Sequence, residues 1–150
     1  FNIVDNVGEA QPWKIPVITT GKKPTKAKYT QMDGKNTENE DWLVTPELDL
    51  TGMSEATLTF ESQFTTAVPE EFQKQYTVLV SSTGDIAKDG DWTELPVIPY
   101  DSTTFTAATA SLPAEMIGKK CYIAWKYTCQ ETSHEWRLRN VVVKAMTKVD

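Results

Sequence analysis

Phe64, Phe72, Trp92, Tyr100 and Phe105 fall at strand ends or in loops, with Asp, Glu, Gln and Thr beside them. That mixture suits a sugar. An aromatic face takes the apolar C–H face of a pyranose, while amides and carboxylates take its hydroxyls. Trp92, Tyr100, Phe105 and Phe72 are therefore the candidate ligand-binding residues, with carbohydrate as the expected ligand. The competing reading makes the same rings plugs at the ends of a β-sandwich, since singly exposed apolar residues are ordinary.

Residues for bond-breaking chemistry are sparse. The single histidine, His134, sits between Ser133 and Glu135 in a polar stretch, and sequence neighbours do not make a triad. The adjacent carboxylates Glu40/Asp41 and Glu70/Glu71 would point to opposite sides of a strand. A glycosidase instead needs two carboxyls facing each other across about 5–10 Å. There is no glycine-rich phosphate loop and no Cys/His metal spacing. The reading predicts no catalytic residues and no enzyme.

Cys121 and Cys129 stand eight residues apart with no turn signal between them. On one strand they would be separated by about 26 Å, beyond disulfide reach. Two free thiols are expected, at least one of them in the core. Lys120 adjoins Cys121, but strand neighbours diverge, so it is badly placed to activate the thiol.

The elements that must carry these residues are organised around Glu40–Leu50. An acidic pair leads into Trp42-Leu43-Val44, Pro46 closes that strand, Thr51-Gly52 turns the chain, and Leu58-Thr59-Phe60-Glu61-Ser62 resumes alternation. Strand, proline, corner, strand is how a β-sandwich passes its chain from one sheet to the next. In the second run Leu58, Phe60, Ser62 and Phe64 share one face; Thr57, Thr59, Glu61 and Gln63 share the other.

Elsewhere Trp13–Ile18 reads as an edge strand, Asp5–Glu9 as a turn and Thr20–Lys28 as a polar loop. Tyr29–Met32 reads as a strand before an Asp33-Gly34 turn. Tyr76–Ser81 is a buried strand by β-branched and aromatic content, and Trp92–Leu95 is a strand broken by Pro96. Tyr100–Ala110 combines a loop with a short strand, and Val68–Phe72 and Ser111–Gly118 each suit one helical turn. Cys121–Thr128 and Trp136–Val143 complete the set. Trp42, Tyr76, Trp125 and Trp136 fall in alternating runs and are predicted core. Short strands without a long helix predict an all-β chain, an antiparallel β-sandwich of jelly-roll type.

At 150 residues the chain suits a single β-sandwich domain spanning 1–150. Its 39% apolar content, with five Trp, five Tyr and five Phe, is enough to fold. A net charge of −6, with no basic cluster beyond Lys22, Lys23, Lys26 and Lys28, argues against nucleic acid as a partner. No apolar run approaches the ~20 residues of a membrane helix, so this domain is expected to make no membrane contact of its own. The start at Phe1-Asn2-Ile3-Val4 looks like the inside of a strand, and upstream residues are expected to be missing.

Five stretches, in order and in register, carry a family resemblance. They are Glu40–Gly52, Val78–Thr83, Trp92–Leu95, Gly118–Tyr127 and Trp136–Val141. Together they resemble the choice-of-anchor J and cleaved-adhesin type domains of bacterial surface proteins, over about residues 4 to 143. The resemblance implies a jelly-roll sandwich, export, and a place at the cell surface or outside the cell, often in a lipoprotein or larger adhesin. It implies a non-catalytic module engaged in glycan binding; the alternative is a structural or protein-binding adhesion module without a sugar site. Partners are then a glycan or a surface protein.

Some members of that family look able to bind calcium beside the acidic residues before the Trp-Leu strand and the Asp-Asn of the last strand. Asn39, Asp41 and Asn140 occupy the matching positions here. A Ca²⁺ ion wants roughly six to eight oxygens of this kind. The last strand reads Arg139-Asn140, with arginine at the usual acidic position. The cofactor expectation is therefore either none, with Arg139 paired to Glu40 or Asp41, or a structural Ca²⁺.

Overall fold

The computed structural model describes residues 2–7, 25–27, 39–64, 68–97, 103–129 and 136–147. Among these residues ten strands run in chain order: β1 (Asn2–Val7), β2 (Thr25–Ala27), β3 (Asn39–Val44), β4 (Leu48–Asp49), β5 (Met53–Phe64), β6 (Tyr76–Ser81), β7 (Trp92–Glu94), β8 (Thr106–Ser111), β9 (Lys120–Cys129) and β10 (Trp136–Thr147). Short 3₁₀ turns at Glu70–Gln75, Asp89–Asp91 and Ala114–Met116 are the helical structure among the described residues. None of it is long and apolar enough to cross a membrane.

The strands form two antiparallel sheets, β1-β3-β9-β6-β7 with β4 also on β9, and β2-β10-β5-β8. Four pairings wrap the chain around itself: β2 with β10, β3 with β9, β5 with β8, and β6 with β7. The pairs β5–β10 and β6–β9 join them into sheets. That nesting is the jelly roll expected from the sequence.

The proline corner does what its pattern predicts. β3 belongs to one sheet and β5 to the other. Between them Thr45 ends the strand by donating its N–H to the Ile123 carbonyl and accepting the Ile123 N–H on its hydroxyl. Gly52 then turns at φ +79°, a left-handed conformation that glycine adopts without a Cβ penalty.

Alternation sorts each strand's residues. Leu58, Phe60, Ser62 and Phe64 of β5 are buried, as are Cys121, Ile123, Trp125 and Tyr127 of β9. They meet across the sandwich with Tyr76, Val78 and Val80 of β6 and Trp136 and Leu138 of β10. The rings interlock: Phe64 stacks on Trp136 at 5.8 Å, and Tyr76 meets both edge-on. Phe60 meets Trp125 edge-on at 5.5 Å. Burying each such side chain contributes about 1.5–3 kcal/mol.

Trp42 is buried as expected, yet on the other side of its sheet. With Val44, Trp92 and Ala124 it forms a second cluster, flanked by Leu79, Ile86 and Tyr122. The outer surface of β3-β9-β6-β7 is thus partly roofed by apolar residues.

Several local expectations change. β1 continues through Asp5 to Val7, where a turn was expected, and absorbs an irregularity between Asp5 and Val7. Thr25–Ala27 lies in the stretch read as a loop and is a strand, held by Trp136–Leu138. β10 runs on to Thr147, four residues beyond its expected end. One strand does contain both cysteines, so its geometry excludes a bond between them, and Cys121 is buried and free. Burial pushes its thiol pKa up, the opposite of an activated nucleophile. The stretches Trp13–Ile18 and Tyr29–Gly34 lie outside the described residues.

Candidate functional site

The outward positions of the β2-β10-β5-β8 sheet hold a connected polar constellation. On β5 the outward row is Thr57, Thr59, Glu61 and Gln63, all half-buried. β8 contributes Ala107, Thr109 and Ser111 as register partners of Glu61, Thr59 and Thr57. β10 contributes Arg137 opposite Gln63 and Arg139 opposite Glu61.

β10 then breaks its rhythm. Arg139 pairs with Glu61 and Val142 with Thr59, so β10 spends one residue more than β5 over the same span. Asn140 stands in that bulge at φ +54°, the one non-glycine residue with positive φ among those described. Asparagine tolerates this region better than most residues. A bulge re-aims a side chain that regular pleating would point elsewhere.

Here it aims the Asn140 amide at Glu61. One carboxylate oxygen, Glu61 Oε2, accepts from both Asn140 Nδ2 and Arg139 Nε, each at 2.6 Å. The Arg139 guanidinium also lies over the Phe105 ring, 3.8 Å from its centroid. Gln63 donates from Nε2 to the Thr103 carbonyl at 2.8 Å. Its Oε1 is enclosed without a hydrogen-bond donor among the described residues. The ion pair is partly open to solvent, with side chains 39% and 30% exposed for Arg139 and Glu61. A ring, a guanidinium, a carboxylate and the Asn140 amide therefore share one partly accessible patch.

Two residues expected in separate sites, Phe105 and Asn140, converge here through Arg139. The partner expected for Arg139 was Glu40 or Asp41; the structure gives it Glu61 instead. Asn39 and Asp41 lie on β3, register partners of Cys129 and Tyr127, in the opposite sheet from Asn140. Their side chains lie outside the described residues. Among the described residues no three His, Cys, Asp or Glu side chains are grouped to hold a metal ion.

The Trp92 ring lies elsewhere. Trp92 is 8% exposed, tilted against Trp42 at 5.2 Å, with its indole N–H donated to the Asp85 carbonyl at 3.0 Å. Phe72 belongs to the 3₁₀ turn Glu70–Gln75, and its side chain lies outside the described residues, as do Tyr100 and His134.

A smaller polar group sits near the proline corner. Tyr122 donates its hydroxyl to Glu47 Oε2 at 2.9 Å, and Lys120 stands 3.5 Å from Glu47 Oε1. That hydrogen bond, ahead of burial and the Glu47 charge, holds the Tyr122 phenol above its ordinary pKa. Asp49 is held below the usual carboxylate range by its hydrogen bonds from Thr51.

Glu61 and Gln63 had a sequence signal, the outward parity of β5, but nothing local marked them as more than solvated residues.

No protein-family model matches the chain, and no curated protein sequence matches it. Solved structures do. The fold is similar to the K3 cleaved adhesin domain of Lys-gingipain from Porphyromonas gingivalis W83, with TM-score 0.57 and 26% identity over 81% of this chain and 72% of that one. It is also similar to the K1 cleaved adhesin domain of the same protein, with TM-score 0.54 and 24% identity over 81% and 73%. The chain shares its β-sandwich with these adhesin domains.

Proposed function

We propose that this chain is a non-catalytic adhesion module of an exported cell-surface protein, and that it captures glycans on the outward side of the β2-β10-β5-β8 sheet. The adhesion reading is supported by the likeness to cleaved adhesin domains. The finer choice-of-anchor J assignment rests on the sequence stretches alone.

One observation carries the glycan reading: Phe105, Arg139, Glu61 and Asn140 are gathered on one open patch by a strained bulge. Strained backbone persists where the surrounding structure holds it, and such residues cluster at ligand sites. Donors, an acceptor and an apolar ring edge at hydrogen-bonding spacing suit a sugar's alternation of hydroxyls and C–H groups. Thr59 and Thr109, whose hydroxyls meet at 3.5 Å across β5 and β8, extend the polar surface.

Affinity gels of soluble polysaccharides test the reading. Retention lost in Phe105→Ala and Arg139→Ala supports it, and Tyr100→Ala and Phe72→Ala test the remaining candidate rings. Trp92→Ala is a poor probe, because removing a ring packed on Trp42 perturbs the fold. Silence across all polysaccharides, with capture of a protein instead, overturns the glycan reading in favour of a protein-binding adhesion module.

A further inference from the structure

We infer that the sugar taken by this patch is anionic, carrying carboxylate or sulfate groups; this rests on the glycan reading above. The argument starts at Arg139. Its Nε is committed to Glu61 and its Cζ lies over the Phe105 ring. No acceptor among the described residues takes its two Nη groups, and the side chain is 39% exposed.

A guanidinium bonded at one nitrogen and lying over a ring is restrained in how it can turn. Its outer N–H groups form a pre-set planar fork, the geometry that grips two oxygens of an anion side by side. A single sugar hydroxyl uses one such donor at a time. Phe105 and Glu61 have already removed the rotamer freedom that an exposed arginine would lose on binding.

Charge along the strand points the same way. Arg137 is one pleat from Arg139 on β10, Lys26 of β2 is its register partner, and Lys144 occupies the rung of Thr57. Lys22, Lys23 and Lys28 adjoin Lys26 in sequence. Glu61 and Glu55 are the carboxylates of the outward β5 row. In a chain of net charge −6, cations collected along one strand set up a local field that draws polyanions. Thr59 and Thr109 supply neutral hydroxyls of the kind a sugar ring also needs and a bare phosphate backbone does not.

Retention of the whole chain should be compared on immobilised alginate, dextran sulfate and plain dextran, at low and high sodium chloride. The expected result is retention on one or both polyanions and not on dextran, weakening as salt rises. Arg139→Gln should lower apparent affinity at least about tenfold, and Arg139→Lys, which keeps the charge but not the fork, nearly as much. Arg137→Gln and Lys144→Gln should cost a few-fold each and flatten the salt dependence. Alginate against dextran sulfate tells carboxylate from sulfate. Melting temperatures of all four variants exclude unfolding as the cause of lost retention. Equal, salt-insensitive retention on dextran overturns the inference and leaves the glycan reading standing. Polyanion retention unchanged in Arg139→Gln and Arg139→Lys overturns the assignment to this patch. Absence of retention on every polysaccharide overturns the inference together with the glycan reading.

Discussion

The indole N–H of Trp136 donates to the hydroxyl of Ser62 at 2.7 Å, across the β5–β10 pair and inside the core. The two residues are 74 positions apart, so the bond fastens the two inner strands of the sheet below the patch. Ser62→Ala takes that acceptor away in a place closed to water. It should lower unfolding free energy by about 1–3 kcal/mol. Urea denaturation measures it; a loss below a few tenths would mean the hydroxyl is dispensable.

How far the sequence showed this can be judged strand by strand. β5 and β9 were legible because each buries one parity throughout its core span and carries most of its polar residues on the other, the signal that period-2 reading detects. β2 was not, since Thr25-Lys26-Ala27 has no apolar alternation and is a strand only through its pairing with Trp136–Leu138. Trp92 looked exposed because Asp91, Thr93 and Glu94 surround it; Trp42, fifty positions earlier, is what buries it. Of the patch, Phe105 and Asn140 were named and Glu61 was not. A lone outward carboxylate looks like any solvated one until its arginine arrives from 78 residues away.

Asn140 separates backbone from side chain. At φ +54° an ordinary L-residue is strained, by about 1–2 kcal/mol. Asn140→Ala should therefore destabilise by about 1 kcal/mol or more, while Asn140→Gly, free of that strain, should recover most of it. Both variants lack the amide on Glu61, so glycan retention should fall in both. A glycine variant as unstable as the alanine one would show that the Glu61 hydrogen bond, and not the backbone, holds the bulge.

Two glycines make a matched pair. A Cβ on Gly84, at φ +70°, would sit 2.8 Å from the Tyr122 ring; one on Gly52, at φ +79°, would meet nothing within 4 Å. Gly52→Ala should cost only the backbone term, about 1 kcal/mol. Gly84→Ala adds a steric clash and should cost about 2 kcal/mol or more. Thermal melts of the two, side by side, decide it. Equal losses would mean that the Tyr122 ring steps aside freely.

The Tyr122–Glu47 bond makes a pH prediction. The phenol's pKa is raised above 10.0, chiefly by donating to Glu47, so the protonated form is the one favoured by folding. Its contribution is complete below pH 10.0 and is lost as pH rises through the folded value. Tyr122→Phe has nothing to lose there. The stability difference between the two proteins should be constant near neutrality and shrink in alkali. A gap that widens with rising pH would reverse the assignment.

Calcium gives the last expected outcome. Asn140 presents its amide N–H to Glu61, and Arg139 brings positive charge beside it. The melting temperature should therefore not respond to EDTA. An ion at Asn39, Asp41 and Asn140, present about a hundredfold above its Kd, would stabilise by about 2.7 kcal/mol and raise the melting temperature several degrees. A drop of that size with EDTA, abolished by Asp41→Ala, would establish the ion instead.

The nesting of the jelly roll sets the order in which this chain can become a protein. β9 lies between β3 and β6 in one sheet, and β10 between β2 and β5 in the other. Before Lys120 the chain therefore lacks the strand that joins the two halves of each sheet. As the chain emerges N-terminus first, hairpin-like pairs such as β6–β7 and β5–β8 can form, but neither sheet closes until Lys120–Thr147 is free. Folding dominated by such distant pairings is slow, on the order of milliseconds to seconds. Until then Trp125 of β9 and Trp136 of β10, two of the largest buried side chains, have no core to enter and the sandwich cannot assemble.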